Sequence, residues 1–156
     1  MGFKKTVELD YPLEKVFKVF IKAAKKEFPK FNEKNPLGAT ISKKIKSGSS
    51  RTIDIRVEVT AYEKDKLYQI TSVRDKLMCV STYSFEKSGD DKTLFSLEEN
   101  DNTTGMFAGI NTFLQNILFR KRITDKFNQL VAGLQNEIES YDERVQKSIK
   151  KEEVDT

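Results

Sequence analysis

The sequence predicts an α+β fold: a curved antiparallel sheet of six to seven strands wrapped around a long C-terminal helix, in the order β-α-β-β-β-β-β-α. Three observations predict it. Strand-like alternation recurs between Ala39 and Asp101, with turn signals separating the segments. One amphipathic helical pattern stands between the first strand pattern and the others. The longest apolar run, from Gly105 to Tyr141, has helical spacing and follows every strand pattern. Consecutive strands with short turns make a meander, and segregated helices covering one face complete an α+β domain.

The first strand is Phe3 to Leu9, with Phe3, Lys5, Val7 and Leu9 on one side. Pro12 then starts a helix, its fixed φ suited to the first helical position. Leu13, Val16, Phe17, Phe20, Ile21 and Ala24 form one apolar stripe, opposite Lys15, Lys18, Lys22, Lys25 and Lys26. Phe28 to Leu37 holds two prolines and reads as a connection. The second strand is Ala39 to Lys46, and Ser47 to Ser50 is a turn. The third is the clearest: Ile53, Ile55, Val57 and Val59 alternate with Asp54, Arg56, Glu58 and Thr60. One face is buried and the other wet. Glu63 to Lys66 turns. Leu67 to Arg74 and Leu77 to Lys87 form a hairpin across Asp75 and Lys76. Ser88 to Asp91 turns again, Thr93 to Asp101 is the sixth strand, and Asn102 to Gly105 breaks the pattern.

Length and composition set the class. The 156 residues point to one domain over 1–150, with 151–156 as a frayed tail. A chain this long buries roughly 68–70% of its unfolded surface, so it folds without disulfides or metal. Charged residues make up 33% and apolar ones 37%, but the apolar residues are grouped, and eleven are Phe. The net charge of +4 comes from interspersed signs and reads as solvated surface, not as a nucleic-acid footprint. There is no histidine, which removes Ser-His and Cys-His machinery and the commonest metal ligand. The one cysteine, Cys79, has no intrachain partner and sits in a strand pattern as a small buried thiol. No secretory signal and no run of transmembrane length is visible, so a reducing, cytoplasmic setting is expected. No cofactor is implied.

The terminal run carries two stripes. Ile110, Phe113, Leu114, Ile117 and Leu118 form one; Ile123, Phe127, Leu130, Val131, Leu134, Ile138 and Tyr141 form the other, roughly 110° away at 100° per residue. A straight helix over 105–150 is about 70 Å long, against about 30 Å for an ordinary strand. A break or change of partner near Phe119 to Arg122 is therefore expected. It divides a lid segment, 105–119, from a core-packing segment, 122–141. Val145 and Ile149 continue the second stripe beyond the sheet and suit a homodimer through the helix end.

The strand running into a Pro-led helix, DYPLEKVFKVF, then the meander, then FLQNILFRKRITDKFNQLVAGL, resembles the helix-grip superfamily of START-related and polyketide-cyclase-like (SRPBCC-like) domains. The chain is most similar there to a family of domains of unknown function from Gram-positive bacteria. The resemblance spans residues 3 to 141. It implies a seven-stranded sheet, where this sequence shows six strands, and a cavity between sheet and terminal helix that holds apolar molecules in many relatives. It implies no catalytic residue.

The candidate cavity lining is Ile55, Val57, Val59, Tyr68, Ile70, Tyr83, Phe113, Ile117, Phe127 and Leu130, with Tyr68, Tyr83 and Arg74 as its polar groups. Glu98 and Glu99 point to opposite faces of their strand and cannot converge. Glu99 and Asp101 share a face and are expected to be solvated at the strand end. Gly105 and Gly109 match a membrane helix-packing spacing, but polar residues interrupt the segment. Phe119 to Arg122 is a solvated basic step, with Asp125 pairing Arg122. Three functions stay open: a module binding an apolar or amphipathic small molecule, a regulatory or protein-interaction domain with a filled core, and, last, a cyclase- or isomerase-like enzyme.

Overall fold

The computed structural model describes the backbone of residues 2–47, 51–74, 77–101 and 112–154, and the side chains of these except 45–47, 51, 53, 112–123 and 152–154. The expected turns at 47–50, 75–76 and 102–105, the glycine pair at 105 and 109, Ile53, and the Arg122–Asp125 pair lie wholly or partly outside what is described.

Six strands and two helices follow the expected order: β1 (Gly2–Leu9), α1 (Leu13–Glu27), β2 (Thr40–Ser47), β3 (Arg51–Glu63), β4 (Leu67–Arg74), β5 (Leu77–Gly89), β6 (Lys92–Asp101) and α2 (Thr112–Val154). The sheet is antiparallel, ordered β1-β6-β5-β4-β3-β2. The first strand thus closes against the last, and the meander β2 to β6 lies between. The described sheet has six strands, not the seven implied by resemblance.

Register puts the larger apolar side chains on one face. Val7 lies opposite Phe95, Phe95 opposite Phe85, Leu97 opposite Tyr83, and Tyr83 opposite Tyr68. A bulge between Val59 and Ala61 shifts the alternation of β3 by one residue. Val59 and Tyr62, three residues apart, consequently both serve the core. The other face is polar there: Thr60 contacts Gln69 and Thr71, and Gln69 donates to Thr82 at 2.9 Å.

Pro12 is the N-cap of α1, one position earlier than expected, and its carbonyl accepts from the Lys15 and Val16 N–H groups. The buried Thr93 hydroxyl donates to the Tyr11 carbonyl at 2.8 Å and ties this start to β6. The predicted stripe is buried from Val16 to Ala24, and Val19 is buried as well because α1 packs against both the sheet and α2. The connection after α1 contributes more than a link. Phe28 and Phe31 both enter the core, and Phe31 meets Tyr62 and Tyr68 edge-on. Ile55 is only half-buried at the core's margin, whereas Val57 and Val59 lie within it.

α2 is one unbroken helix of 43 residues, so of the expected break or change of partner at Phe119 to Arg122 the break does not occur; the change of partner and the lid segment 105–119 lie outside the described side chains. A shift in apolar phase does not interrupt the hydrogen-bond ladder, and no Gly or Pro falls there to do so. Phe127, Leu134 and Ile138 are buried. Phe127 stacks on Phe95 with centroids 5.8 Å apart. Beyond Tyr141 the helix leaves the sheet, with Ile149 half exposed. Lys15 pairs with Asp142, and Lys18 donates to the Tyr141 hydroxyl, at the point of departure.

Ile138→Ala should cost about 2–5 kcal/mol, the usual range for emptying a buried aliphatic site, while Ile149→Ala should stay within about 0.5 kcal/mol. Urea unfolding of both variants measures this. Equal costs would mean that α2 packs along its full length.

Candidate functional site

The flank of α1, the middle of α2 and the inner faces of β4 and β5 enclose a crevice of about 400 Å³. Val19, Phe20, Ala23 and Ala24 come from α1, one turn apart in pairs. Leu130, Gly133 and Leu134 come from α2 on the same spacing. Tyr68, Ile70 and Tyr83 complete the wall from the sheet. The lining is mostly apolar, and Glu27, Gln129 and Glu137 bring polar groups to it. Glu27 is neutralised by Lys43 of β2.

Two features distinguish this wall from ordinary core. Tyr68 and Tyr83 are 3% and 7% exposed, yet neither hydroxyl has a hydrogen-bond partner among the described residues. Their rings are packed, with centroids 5.9 Å apart, and Phe20 touches both. Burial pushes both phenols above their ordinary range, and the charge of Glu27 adds to it for each; Glu99 acts more strongly on Tyr83. Both remain neutral donors at any physiological pH. The second feature is Gly133, inside a helix, where an added Cβ meets nothing within 4 Å.

A polar cluster occupies the same face of β5 and β6, further along the strands. Glu99 is opposite Ser81, and Cys79 is opposite Asp101. Glu99 is 4% exposed, which corrects the expectation of a solvated carboxylate. Lys126 of α2 reaches over the strand end and pairs with it. The Cys79 thiol donates to Glu99 Oε2 at 3.2 Å. Burial works to raise the Glu99 pKa, but the Lys126 charge, with hydrogen bonds from Lys126, Cys79 and Ser81, brings it below the ordinary value. The Cys79 thiol is pushed up to about 12 by burial and by Glu99, so it is a weak nucleophile. No group of metal ligands occurs among the described residues.

Of the expected lining residues, Tyr68, Ile70, Tyr83 and Leu130 stand on the crevice wall. Val57, Val59 and Phe127 are in the core, Ile55 is at its margin, and Arg74 is exposed. The side chains of Phe113 and Ile117 lie outside those described. Sequence reasoning missed Val19, Ala23, Gly133, Glu99 and Lys126. The isolated Gly133 in a helical pattern is the one local signal that marked the crevice. Glu99 and Lys126 carried none, since their meeting depends on how α2 crosses β6.

The family described as "Domain of unknown function (DUF3284)" matches residues 1–120, and the chain belongs to it. No curated protein is similar to the chain in sequence. Solved structures share the helix-grip fold. TTHA0849 from Thermus thermophilus is 14% identical, with 90% of this chain and 98% of that one covered and a TM-score of 0.62. A protein from Arthrobacter aurescens is 12% identical over 86% of each chain, with a TM-score of 0.59. Ara h 8.0201 is 14% identical over 90% of this chain and 96% of that one, with a TM-score of 0.55. At such identities the likeness is one of fold. No described helix is long and apolar enough to cross a membrane.

Lys126→Met removes the charge that holds the Glu99 pKa down and leaves burial to raise it. Carboxyl carbon-13 titration should show that pKa moving from below the ordinary range to above it. With the pair intact, the depressed pKa contributes stability above the unfolded value, lost as pH falls through the folded one. The variant should therefore be less stable near neutral pH and approach wild type on acidification. Lys126 is half exposed and screened by solvent, so the neutral-pH difference should be roughly 1–3 kcal/mol, less than for a fully buried pair. An unmoved Glu99 titration would contradict the pairing.

Proposed function

We propose that this member of the DUF3284 family binds a small, largely apolar molecule carrying a hydrogen-bond acceptor, in the crevice between α1, α2 and the sheet. The observation that carries the reading is the pair of buried Tyr68 and Tyr83 hydroxyls, without described partners, on the wall of an apolar space of about 400 Å³. Pockets of this kind are apolar with a few placed polar groups, and roughly 300–1,000 Å³ in size. A buried hydroxyl left unpaired costs about 1–3 kcal/mol. A ligand carbonyl, ether or hydroxyl oxygen relieves that cost.

Gly133 supports the same reading. A glycine inside a helix costs about 1 kcal/mol relative to alanine. No neighbouring atom requires it, since a Cβ there projects into open space. Gly133 is exposed on the crevice wall, and the lack of a side chain there leaves the mouth of the crevice wide. Among the described residues, Phe17, Phe20, Phe31, Phe85 and Phe95 pack the interior beside the crevice, which supports a ligand position on the side facing the two helices.

The neutral tyrosines favour a second reading, the cyclase- or isomerase-like one. A neutral phenol beside a carbonyl oxygen stabilises negative charge developing there. Recovery of bound molecules unchanged after long incubation speaks for binding alone; recovery of a rearranged product speaks for turnover.

A hydrophobic dye should bind the protein and be displaced by small apolar ketones. Gly133→Phe should abolish both effects while the far-ultraviolet circular dichroism and melting temperature hold or rise. Tyr68→Phe with Tyr83→Phe should weaken a ketone about tenfold and leave a hydrocarbon of equal size unaffected, the discrimination expected of a buried polar group. Dye binding that survives Gly133→Phe would remove the crevice as the site.

A further inference from the structure

A second cavity of about 190 Å³ lies beside the crevice, between α1 and α2. The two share Val19, Ala23 and Glu137, so one opens beside the other along the same helix pair. Its remaining wall is different in kind: Lys22 and Lys26 from α1, Tyr141 and Arg144 from α2. Lys22 and Lys26 are one turn apart on α1. Glu137, Tyr141 and Arg144 follow each other at four and three residues on α2. Three cations therefore face one carboxylate.

Elsewhere along α1, Lys15 pairs with Asp142, Lys18 with Tyr141 and Lys25 with Glu33, while Glu27 is taken by Lys43. Lys22, Lys26 and Arg144 have no ion pair among the described residues. The concentration of positive charge is felt by the neighbouring phenol: the Lys18 hydrogen bond and charge, and then Lys22 and Lys15, lower the pKa of Tyr141. An apolar floor of Val19 and Ala23 runs from this basic groove into the crevice.

We propose that the groove formed by Lys22, Lys26 and Arg144 is an anion-binding subsite that takes the carboxylate or phosphate head of an amphipathic small molecule whose apolar part occupies the adjoining crevice. This rests on the reading of the crevice as a binding site and adds the charge and chemical class of the ligand. Carboxylate and phosphate share the relevant chemistry, a compact anion with several acceptor oxygens, which lysine meets as a point charge and arginine as a fork. Glu137, at the border of the two cavities, leaves the groove with a net positive charge.

The test is calorimetric titration of the full chain with decanoate, decyl phosphate, decanol and decyltrimethylammonium, which share one chain length and differ in head group. Each exposed charge pair contributes modestly, so three cations together should favour decanoate and decyl phosphate over decanol by about tenfold. Decyltrimethylammonium should bind more weakly than decanol. Raising the salt should erase the preference for the anions and leave decanol unchanged. Lys22→Gln combined with Lys26→Gln should also remove the preference; both positions are exposed, and an unchanged melting temperature confirms the fold. Equal affinity for decanol and decanoate, with both binding, overturns the subsite and keeps the crevice. Binding of none of the four overturns both. Lysine-dependent attachment to phosphatidylglycerol vesicles, with no binding of monomeric decanoate or decyl phosphate, also overturns the proposal by assigning the groove to a bilayer surface. The ratio of decanoate to decyl phosphate affinity identifies the head.

Discussion

Phe20 holds the architecture together. Its ring lies 5.1 Å from those of Tyr83 and Phe85, 5.5 Å from Tyr68 and 5.9 Å from Phe95, so one side chain of α1 touches β4, β5 and β6 at once. Edge-on and tilted contacts of this kind add about 0.5–1.5 kcal/mol each beyond the area they bury. They also fix how far α1 stands from the sheet. α2 then docks on the same layer through Phe127, whose ring stacks on Phe95. The crevice is the space left because two helices are positioned by one aromatic layer but do not close against each other over Ala23 and Gly133.

The sheet's inner face is divided along its strands. At one end Tyr83, Phe85, Phe95 and Leu97 are apolar and packed. At the other, Cys79, Ser81 and Glu99 are polar, and Lys126 is required there because an isolated buried carboxylate would protonate or open the structure. That ion pair ties α2 to the end of β6. Tyr83 stands at the boundary and feels Glu99 on one side and Glu27 on the other. The electrostatics of the crevice are thus coupled to the way the long helix is seated.

The region between the helices differs in composition from the core beside it. Its apolar part is open where a core would be filled, and among the described residues its charged part lacks the pairing found on the rest of α1. The outer face of the sheet shows the opposite arrangement: the hydroxyl and amide ladder of Thr60, Gln69, Thr71 and Thr82 is satisfied within β3, β4 and β5.

Element type and order were legible in the amino-acid sequence because hydrophobic period is a local property. The alternation of Ile55, Val57 and Val59, the stripe from Val16 to Ala24, and the Pro12 start each declare themselves within a few residues. Tyr68 and Tyr83 could be named from the sequence as candidate polar groups of a pocket, but their burial was decided by packing against Phe20. Everything that makes the site arises from pairs far apart in the chain. Val19 became buried because α2 lies beside α1, and Glu99 became buried because Lys126 arrives 27 residues later to neutralise it. The bulge at Thr60 moved Tyr62 onto the core face, which no alternation count could anticipate. The continuity of α2 was decided by its backbone ladder, which tolerates a change of apolar phase that side-chain pattern alone left open as a break or a change of partner. Local period determined which residues could face inward; long-range packing and charge compensation decided which of them line a cavity.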